Sequence, residues 1–436
     1  MKESKPSAFE KFVKPLLAIH PEERAKTLLM FAYFFLVITL IYILKPVQRA
    51  LFIHEFGAQK LSYAYIGEGL FLILVVSIYM KFAKKVSKGT FYRGILLFYI
   101  SNLLLFWILF RTNLPHLSAF FYLWHAAFSI TMTTVFWTLG NDLFNTSEAK
   151  RLFGLIMSGG SLGGIVGGAI AKALMHCIHC EDLLLLSAGI LGLCLILVDQ
   201  ICKRYLLGNV ASVHSAETSE STGEKKEFSK TPGLQLFLKS PYLLILCGIV
   251  MMAKMSSTIV DNQFNAIIAN HITGKDALTE FFGGFFSSLN MISFLMQLCV
   301  TSLVLRLAGI GIALLLMPSG LLVLGLFNLF SPTLMSGVIL RMFEGSTSVS
   351  VQQASKEVLY LPVPSEVRRR TKPLIDMLGY RLAKSMGGVL LGISAGFLKI
   401  PADHAGVLLL GIVPIWMGLV WKMKALYPKT HVAISS

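Results

Sequence analysis

Long apolar runs recur along the whole chain and constrain its fold more than any other feature. Runs such as residues 28–44 (LLMFAYFFLVITLIYIL) and 183–198 (LLLLSAGILGLCLILV) approach the roughly 20 residues that a helix needs to cross a bilayer. Only 14% of the 436 residues are charged, whereas soluble proteins carry about 25%. The pattern therefore predicts an all-α polytopic membrane protein.

The apolar runs divide into twelve predicted transmembrane spans. They cover approximately residues 28–46, 62–80, 92–110, 117–139, 152–175, 183–200, 241–262, 281–305, 309–330, 332–354, 373–397 and 404–422. With the amino terminus in the cytosol, the inner loops and tails hold 28 of the 39 Lys and Arg residues and the outer loops hold six. The positive-inside rule favours this orientation, with both termini cytosolic. The asymmetry also accounts for most of the +16 charge without a nucleic-acid partner.

A polar segment rich in Ser, Glu and Lys divides the spans into two sets of six. The predicted organisation is a cytosolic segment 1–27, a six-helix bundle 28–200, a cytosolic linker 201–240, a second bundle 241–422 and a cytosolic tail 423–436. Six spans, a linker and six spans is the plan of a transporter built from two parallel repeats.

A short internal repeat supports this plan. Residues 147–151 (SEAKR) precede span five, and residues 365–369 (SEVRR) precede span eleven, 218 positions later. Both spans carry glycines at four-residue spacing, which favours close helix packing. Close backbone approach to a ligand is the alternative, but SGGSLGGIVGG lacks the GxxxxGK[ST] pattern of a phosphate loop.

Charged residues inside the predicted spans carry the functional signal, because each Lys or Arg at mid-bilayer costs about 2.5–3.5 kcal/mol. Three pairs each share a helix face by their spacing: Arg341 with Glu344, Lys254 with Asp261, and Arg381 with Lys384. The first two pairs are either ion pairs that lock helices or parts of a binding site. The third has no acid at helical spacing other than Asp376, which favours anion binding.

These charges predict a hydrated, electropositive cavity for an anion such as a phosphate ester, a nucleotide or a carboxylate. The predicted substrate-binding residues are Lys45, Arg49, Trp124, Lys254, Arg341, Arg381 and Lys384. The predicted gating and charge-pairing residues are Glu68, Asp261, Glu344, Asn141, Glu148, Arg151 and Asp376. Lys45 and Arg49 could instead extend to the membrane surface, and the charged 147–151 tract could form surface ion pairs. No catalytic residues or cofactor are predicted, and the chain is not expected to be an enzyme.

The segment His176-Cys177-Ile178-His179-Cys180 has the composition of a metal-binding cluster and is followed by Glu181 and Asp182. No second pair of ligands is obvious elsewhere in the sequence. The sequence therefore favours a disulfide or unreacted thiols over a metal site.

Two stretches are similar to signatures of the ATP/ADP translocases, the nucleotide transporter family of intracellular bacteria and plastids. Residues 136–155 (FWTLGNDLFNTSEAKRLFGL) resemble the family's Phe-Trp, Asn and Glu-Ala-Lys-Arg series. The second stretch contains Lys356-Glu357, Tyr360-Leu361-Pro362, Ile375-Asp376 and Lys384-Ser385. The family's first span usually ends in an Arg-Asp-Thr-Lys-Asp tract whose lysine is important for transport. This chain has Lys45-Pro46-Val47-Gln48-Arg49 at that place.

The resemblance implies a twelve-span, major-facilitator-like fold and exchange of ATP for ADP, or of related nucleotides, by alternating access. We expect a monomer in the inner membrane of a bacterium, with cavity Lys and Arg residues on the phosphates. Two alternatives stay open. One is a carrier for another anionic phosphorylated metabolite, and the other is a membrane receptor or subunit that does not transport.

Overall fold

The computed structural model describes residues 21–83, 88–112, 114–206, 237–238, 240–364, 367–368, 371–372 and 374–435. Within these ranges every regular element is a helix and no strand occurs, which confirms the all-α prediction. Most of the predicted cytosolic segment 1–27 and of the linker 201–240 lies outside the described residues.

Each predicted span corresponds to a helical segment, which we number α1 to α12. The first six are Pro21–Phe56, Leu61–Ala83, Lys88–Phe110, Leu117–Leu143, Thr146–Leu174 and Leu183–Ile201. The next three are Pro241–His271 (α7), Lys275–Leu295 continued by Thr301–Leu307 (α8), and Gly309–Phe330 (α9). The last three are Leu334–Thr347 continued by Gln353–Leu359 (α10), Tyr380–Gly396 (α11) and Leu409–Ser435 (α12). One wider π turn lies within α8, one within α10 and one before α11.

Nine helices among the described residues are long and apolar enough to cross a membrane. The segments of the second, tenth and eleventh predicted spans are not among these nine. Polar and charged residues interrupt α10 and α11, which lowers their mean hydropathy. A count of twelve crossings therefore stays a prediction.

The helices form two compact units. Unit 1 comprises residues 1–55, 71–222 and 274–291, and unit 2 comprises residues 56–70, 223–273 and 292–436. The start of α2 thus belongs to unit 2 and most of the first part of α8 belongs to unit 1. The two predicted bundles, residues 28–200 and 241–422, do not coincide with these units, because residues 56–70 belong to unit 2 and residues 274–291 to unit 1. The division into sequential bundles therefore stays a prediction.

Close backbone contacts at glycines explain why α5 packs within unit 1 as it does. A Cβ added at Gly163 would overlap the Phe35 carbonyl oxygen of α1. On the other side of α5, a Cβ at Gly168 would lie 2.6 Å from the Ser287 nitrogen and 2.7 Å from the Gly283 oxygen of α8. The predicted packing role of the span-five glycines is thereby confirmed. In α11 only Gly387 and Gly388 have such neighbours, whereas Gly392 and Gly396 face open space.

We expect Gly168→Ala to destabilise the protein by about 1–3 kcal/mol, the usual cost of overpacking. The added methyl group would press on backbone atoms of α8, which cannot rotate away as a side chain can. Thermal unfolding of the purified protein in detergent measures the effect. Gly192→Ala in α6 is the matched control, because a Cβ there meets nothing within 4 Å. Equal melting temperatures for the two variants would contradict this account of the α5 contact.

Candidate functional site

A buried ion-pair network joins α7 and α10 within unit 2. Arg341 of α10 binds Asp261 of α7 through its Nε and Nη2 atoms, each 3.0 Å from Oδ1. The Arg341 Nη1 atom pairs with Glu344, one turn further along α10. Only 8% of Asp261 and 1% of Glu344 are exposed. Arg341 and Glu344 thus pair as their helical spacing predicts, and Asp261 adds a second acid to the pair.

Every carboxylate oxygen of this network has a hydrogen-bond donor. The second oxygen of Asp261 accepts a 2.9 Å bond from the Tyr65 hydroxyl of α2. The second oxygen of Glu344 accepts a 2.6 Å bond from the Ser257 hydroxyl of α7. Full pairing is what makes buried charges tolerable, since an unpaired buried carboxylate is costly. The network therefore holds Arg341 in a fixed place, with its guanidinium between two acids.

A second ion pair lies beside the network and shares Tyr65 with it. Lys384 of α11 pairs with Glu68 of α2, and its ammonium lies 5.3 Å from the centre of the Tyr65 ring. Two glycines permit this approach of α2 to α11. A Cβ at Gly388 would lie 2.9 Å from the Ser62 carbonyl oxygen, and a Cβ at Gly69 would overlap the Ser385 hydroxyl.

Lys254 does not make the predicted pair with Asp261. Its ammonium lies 4.3 Å from the centre of the Tyr380 ring, in a cation–π contact between α7 and α11. Of the two alternatives for Lys254 and Asp261, the direct ion pair does not form, because Arg341, which is distant in sequence, binds the carboxylate. A role for Lys254 in a binding site stays a prediction. Arg381 makes no ion pair or hydrogen bond with any residue that the structure describes.

The two span-one cations lie against aromatic rings of α8 within unit 1. Lys45 Nζ is 4.3 Å from the centre of the Phe286 ring and 5.0 Å from that of Tyr42. The Arg49 guanidinium is 5.2 Å from the Phe286 ring, and Arg49 is only 8% exposed. Its burial excludes the alternative that Arg49 extends to the membrane surface.

Gln48 stands where the resemblance expects the family's lysine. It is buried, and its amide nitrogen lies 3.4 Å from the Tyr122 carbonyl oxygen of α4. This position therefore offers a neutral amide group, bonded within unit 1, instead of a cation.

Trp124 is a core residue, and its predicted role in substrate binding is withdrawn. Its ring stacks on Phe121 and Phe128 of the same helix, with centroid distances of 5.5 and 5.4 Å. Tyr99 and Phe106 of α3 contact it from the side. A nucleobase could reach this ring only by displacing the core of unit 1.

The predicted gate residues of the 147–151 tract fasten α5 to α1 within unit 1. Glu148 caps the start of α5 with Asn145 and pairs with Lys26 at 3.0 Å. Arg151 pairs with Glu23 at 2.8 Å. Asn141 is exposed, and its side chain bonds to no residue in the described part of the chain. In the second tract only residues 367 and 368 are described.

Asp376 belongs to a separate network at the end of α10. The Lys356 ammonium lies 3.1 Å from the Oδ1 atom of Asp376. The Tyr360 hydroxyl donates to the same oxygen at 3.4 Å. Burial and the negative charge of Asp376 raise the pKa of Tyr360 above its usual range. The Tyr360 hydroxyl consequently stays protonated and can donate to the acid. Asp376 makes no ion pair with Arg381 or Lys384 among the described residues.

Sequence reasoning missed several side chains that complete these clusters: Tyr65, Ser257, Phe282, Phe286 and Tyr380. Two signals could have found some of them. Tyr65 lies one turn before Glu68 on α2, and Ser257 lies one turn after Lys254 and one turn before Asp261 on α7. Aromatic residues gave no such signal, because 11% of the chain is aromatic.

Solved structures with the same fold are transporters. The nucleoside transporter NupG superposes with a TM-score of 0.65 over 92% of this chain and 98% of its own, at 12% identity. A peptide transporter POT in complex with sulfate reaches 0.58 over 92% and 95%, at 14% identity. The fold is thus all-α and major-facilitator-like.

The family follows from the sequence comparison. A family model described as TLC ATP/ADP transporter matches residues 116–344, more than half of the chain. The chain therefore belongs to the TLC ATP/ADP transporter family, as the two signature stretches indicated.

Individual relatives are distant. ADP,ATP carrier protein 3 of Rickettsia felis is 23% identical over 348 residues, which cover 69% of this chain and 67% of that protein. ADP,ATP carrier protein 1 of Chlamydia muridarum is 22% identical over 344 residues, covering 71% and 65%. The chloroplastic ADP,ATP carrier protein 2 of Arabidopsis thaliana is 22% identical over 324 residues, covering 66% and 51%.

Proposed function

We propose that this transporter exchanges ATP for ADP, or closely related nucleotides, by alternating access. The family supports the substrate class, since the relatives are named ADP,ATP carriers. The observation that carries the proposal is the buried Asp261–Arg341–Glu344 network. It holds a guanidinium fork, which suits phosphate oxygens, in a water-poor place where charge-assisted bonds are strong.

The proposed mechanism is an exchange of partners. Arg341 is bound by Asp261 and Glu344, and Lys384 is bound by Glu68. Phosphate groups compete with these carboxylates for the two cations. Arg381, which makes no ion pair or hydrogen bond with the described residues but lies in the field of Glu68, attracts the same anion.

Such competition favours exchange over one-way transport. When the nucleotide leaves, the acids bind the cations again and the empty protein resists reorientation. A second nucleotide must reopen the ion pairs before the return step. Because ATP carries about one more negative charge than ADP, each exchange moves charge, which is worth about 2.3 kcal/mol per charge per 100 mV.

The proposed location is the inner membrane of a bacterium, with both termini in the cytosol and a monomer as the working unit. The excess of Lys and Arg in the predicted inner loops supports this orientation. Lys45 and Arg49 keep their predicted role as substrate ligands in unit 1.

Gln48 favours a second candidate, a carrier for a different phosphorylated metabolite. Its buried amide replaces a cation that the resemblance links to transport. A substrate with fewer phosphate charges would fit this change.

Counterflow in proteoliposomes tests both candidates. We expect labelled ATP and ADP to enter vesicles preloaded with unlabelled nucleotide in a saturable way, and empty vesicles to take up little. We also expect Lys384→Ala and Arg381→Ala to reduce uptake, whereas Arg306→Ala at an exposed end of α8 does not. Exchange of small phosphate esters without nucleotide exchange would support the second candidate, and no exchange of either would contradict both.

A further inference from the structure

We propose that unit 1 contains a site for one divalent transition-metal ion, zinc by its donor set, where the loop between α5 and α6 meets the start of α8. The donors are His179, Cys180 and Glu181 of the loop and Asp276 of α8. The ligand atoms of the last three lie within 4.8 Å of one another. The His179 Nδ1 atom lies 3.1 Å from Asp276 Oδ2.

Asp276 supplies what the sequence alone could not. The loop offers three neighbouring donors but no fourth at a metal-ligand spacing. The fold brings Asp276 to the loop from 96 positions away, and the Cys180 backbone N–H fixes its carboxylate with a 2.8 Å bond to Oδ1. A hydrogen bond to one carboxylate oxygen orients the group so that its other oxygen can bind a metal ion.

The donor set and spacing suit tetrahedral zinc. Zinc binds thiolate sulfur at about 2.3 Å and nitrogen or oxygen at about 2.0–2.2 Å, which puts neighbouring ligand atoms roughly 3.5 Å apart. The ligand atoms of Cys180, Glu181 and Asp276 would therefore have to approach one another by at most about 1.3 Å to reach this geometry. The exposed His179 imidazole, which contacts Asp276, would have to rotate toward the other two donors. One thiolate, one imidazole and two carboxylates are also within zinc's ordinary choice of ligands.

The negative charge of the cluster also favours a bound cation. Among the described Lys and Arg residues, Lys275 is the one that pairs with these two acids, through Glu181. The buried Cys180 thiol lies 3.4 Å from the other Glu181 oxygen. The place therefore already attracts positive charge, and a metal ion would displace the thiol proton and the lysine. A second His–carboxylate contact, His176 with Glu280 at 3.5 Å, lies one turn along α8.

Metal titration of the full-length protein in detergent tests the proposal. The protein is reduced with a non-chelating phosphine, stripped with a chelator, exchanged into metal-free buffer and titrated with zinc chloride or cobalt chloride alone. We expect one equivalent of zinc, a higher melting temperature with zinc, and a sulfur-to-cobalt charge-transfer band with cobalt. Cys180→Ala should abolish that band, and His179→Ala and Asp276→Asn should each weaken binding at least about tenfold.

Cys177→Ala is the matched control, because this neighbouring thiol is exposed and outside the cluster. It should bind like the wild type. The proposal fails if the reduced wild type binds no stoichiometric metal. It also fails if Cys177→Ala loses the band as Cys180→Ala does, which would indicate adventitious thiol binding. Size-exclusion profiles confirm that each variant is folded, and His179→Ala, at an exposed position, keeps the test valid if Asp276→Asn aggregates.

Discussion

Arg341→Gln is expected to abolish nucleotide exchange and to destabilise the protein by about 3–5 kcal/mol. Asp261 and Glu344 would lose their common cation while staying almost fully buried, and an uncompensated buried charge is costly. The proposed phosphate ligand would be lost with the same substitution. Thermal unfolding in detergent measures the first effect and counterflow of labelled ATP the second.

Two further variants separate the structural role of Arg341 from its binding role. The triple variant Arg341→Gln, Asp261→Asn, Glu344→Gln removes all three charges, so stability should largely return while exchange stays absent. Arg341→Lys keeps the charge but loses the planar guanidinium that reaches two acids. It should retain only part of the stability and only part of the nucleotide exchange. A triple variant that exchanges ATP at the wild-type rate would show that the network is only structural.

Substitutions at Glu68 and at Lys384 are expected to change the apparent affinity for ATP in opposite directions. Lys384→Gln removes a phosphate ligand worth about 1.5–3 kcal/mol, which corresponds to a 10- to 150-fold weaker apparent affinity for ATP. Glu68→Gln removes the competing acid and should strengthen apparent affinity up to about fivefold, since a partly exposed pair contributes at most about 1 kcal/mol. It should also permit uptake into empty vesicles, because Lys384 no longer has an acid to hold it when substrate leaves.

Lys372→Gln and Glu357→Gln form the matched control pair. Their side chains are joined at 2.6 Å but are 36% and 43% exposed. Neither substitution should change the affinity for ATP by more than about twofold. If Glu68→Gln instead weakened binding as much as Lys384→Gln, the pair would hold helices together and the partner-exchange mechanism would be wrong.

The helices could be predicted from the sequence because their cause is local. An apolar run of sufficient length inserts and forms a helix whatever the rest of the chain does, and each predicted span has its helical counterpart. The packing role of the α5 glycines could also be predicted from the sequence, since small residues at four-residue spacing favour close approach of neighbouring helices. The pair Arg341–Glu344 followed from helical spacing alone.

Partners that come from other helices could not be predicted in this way. Lys254 and Asp261 share a face of α7, yet Arg341, 80 positions away, takes the acid. Trp124 and its neighbours gave no sign of which face of α4 forms the core. Asp276 lies 96 positions from Cys180 in the sequence and meets it in a fold where α8 packs against α5 at Gly168 and Gly283.

The sequence by itself determined the membrane-spanning helical class, the family and the set of charged residues within the helices, because hydropathy and short motifs are local properties of the chain. Only the tertiary structure decided which charges meet, which aromatic rings are core and which acid lies beside Cys180. Those outcomes depend on the rotation and approach of separate helices, which close glycine contacts fix and which no single segment encodes.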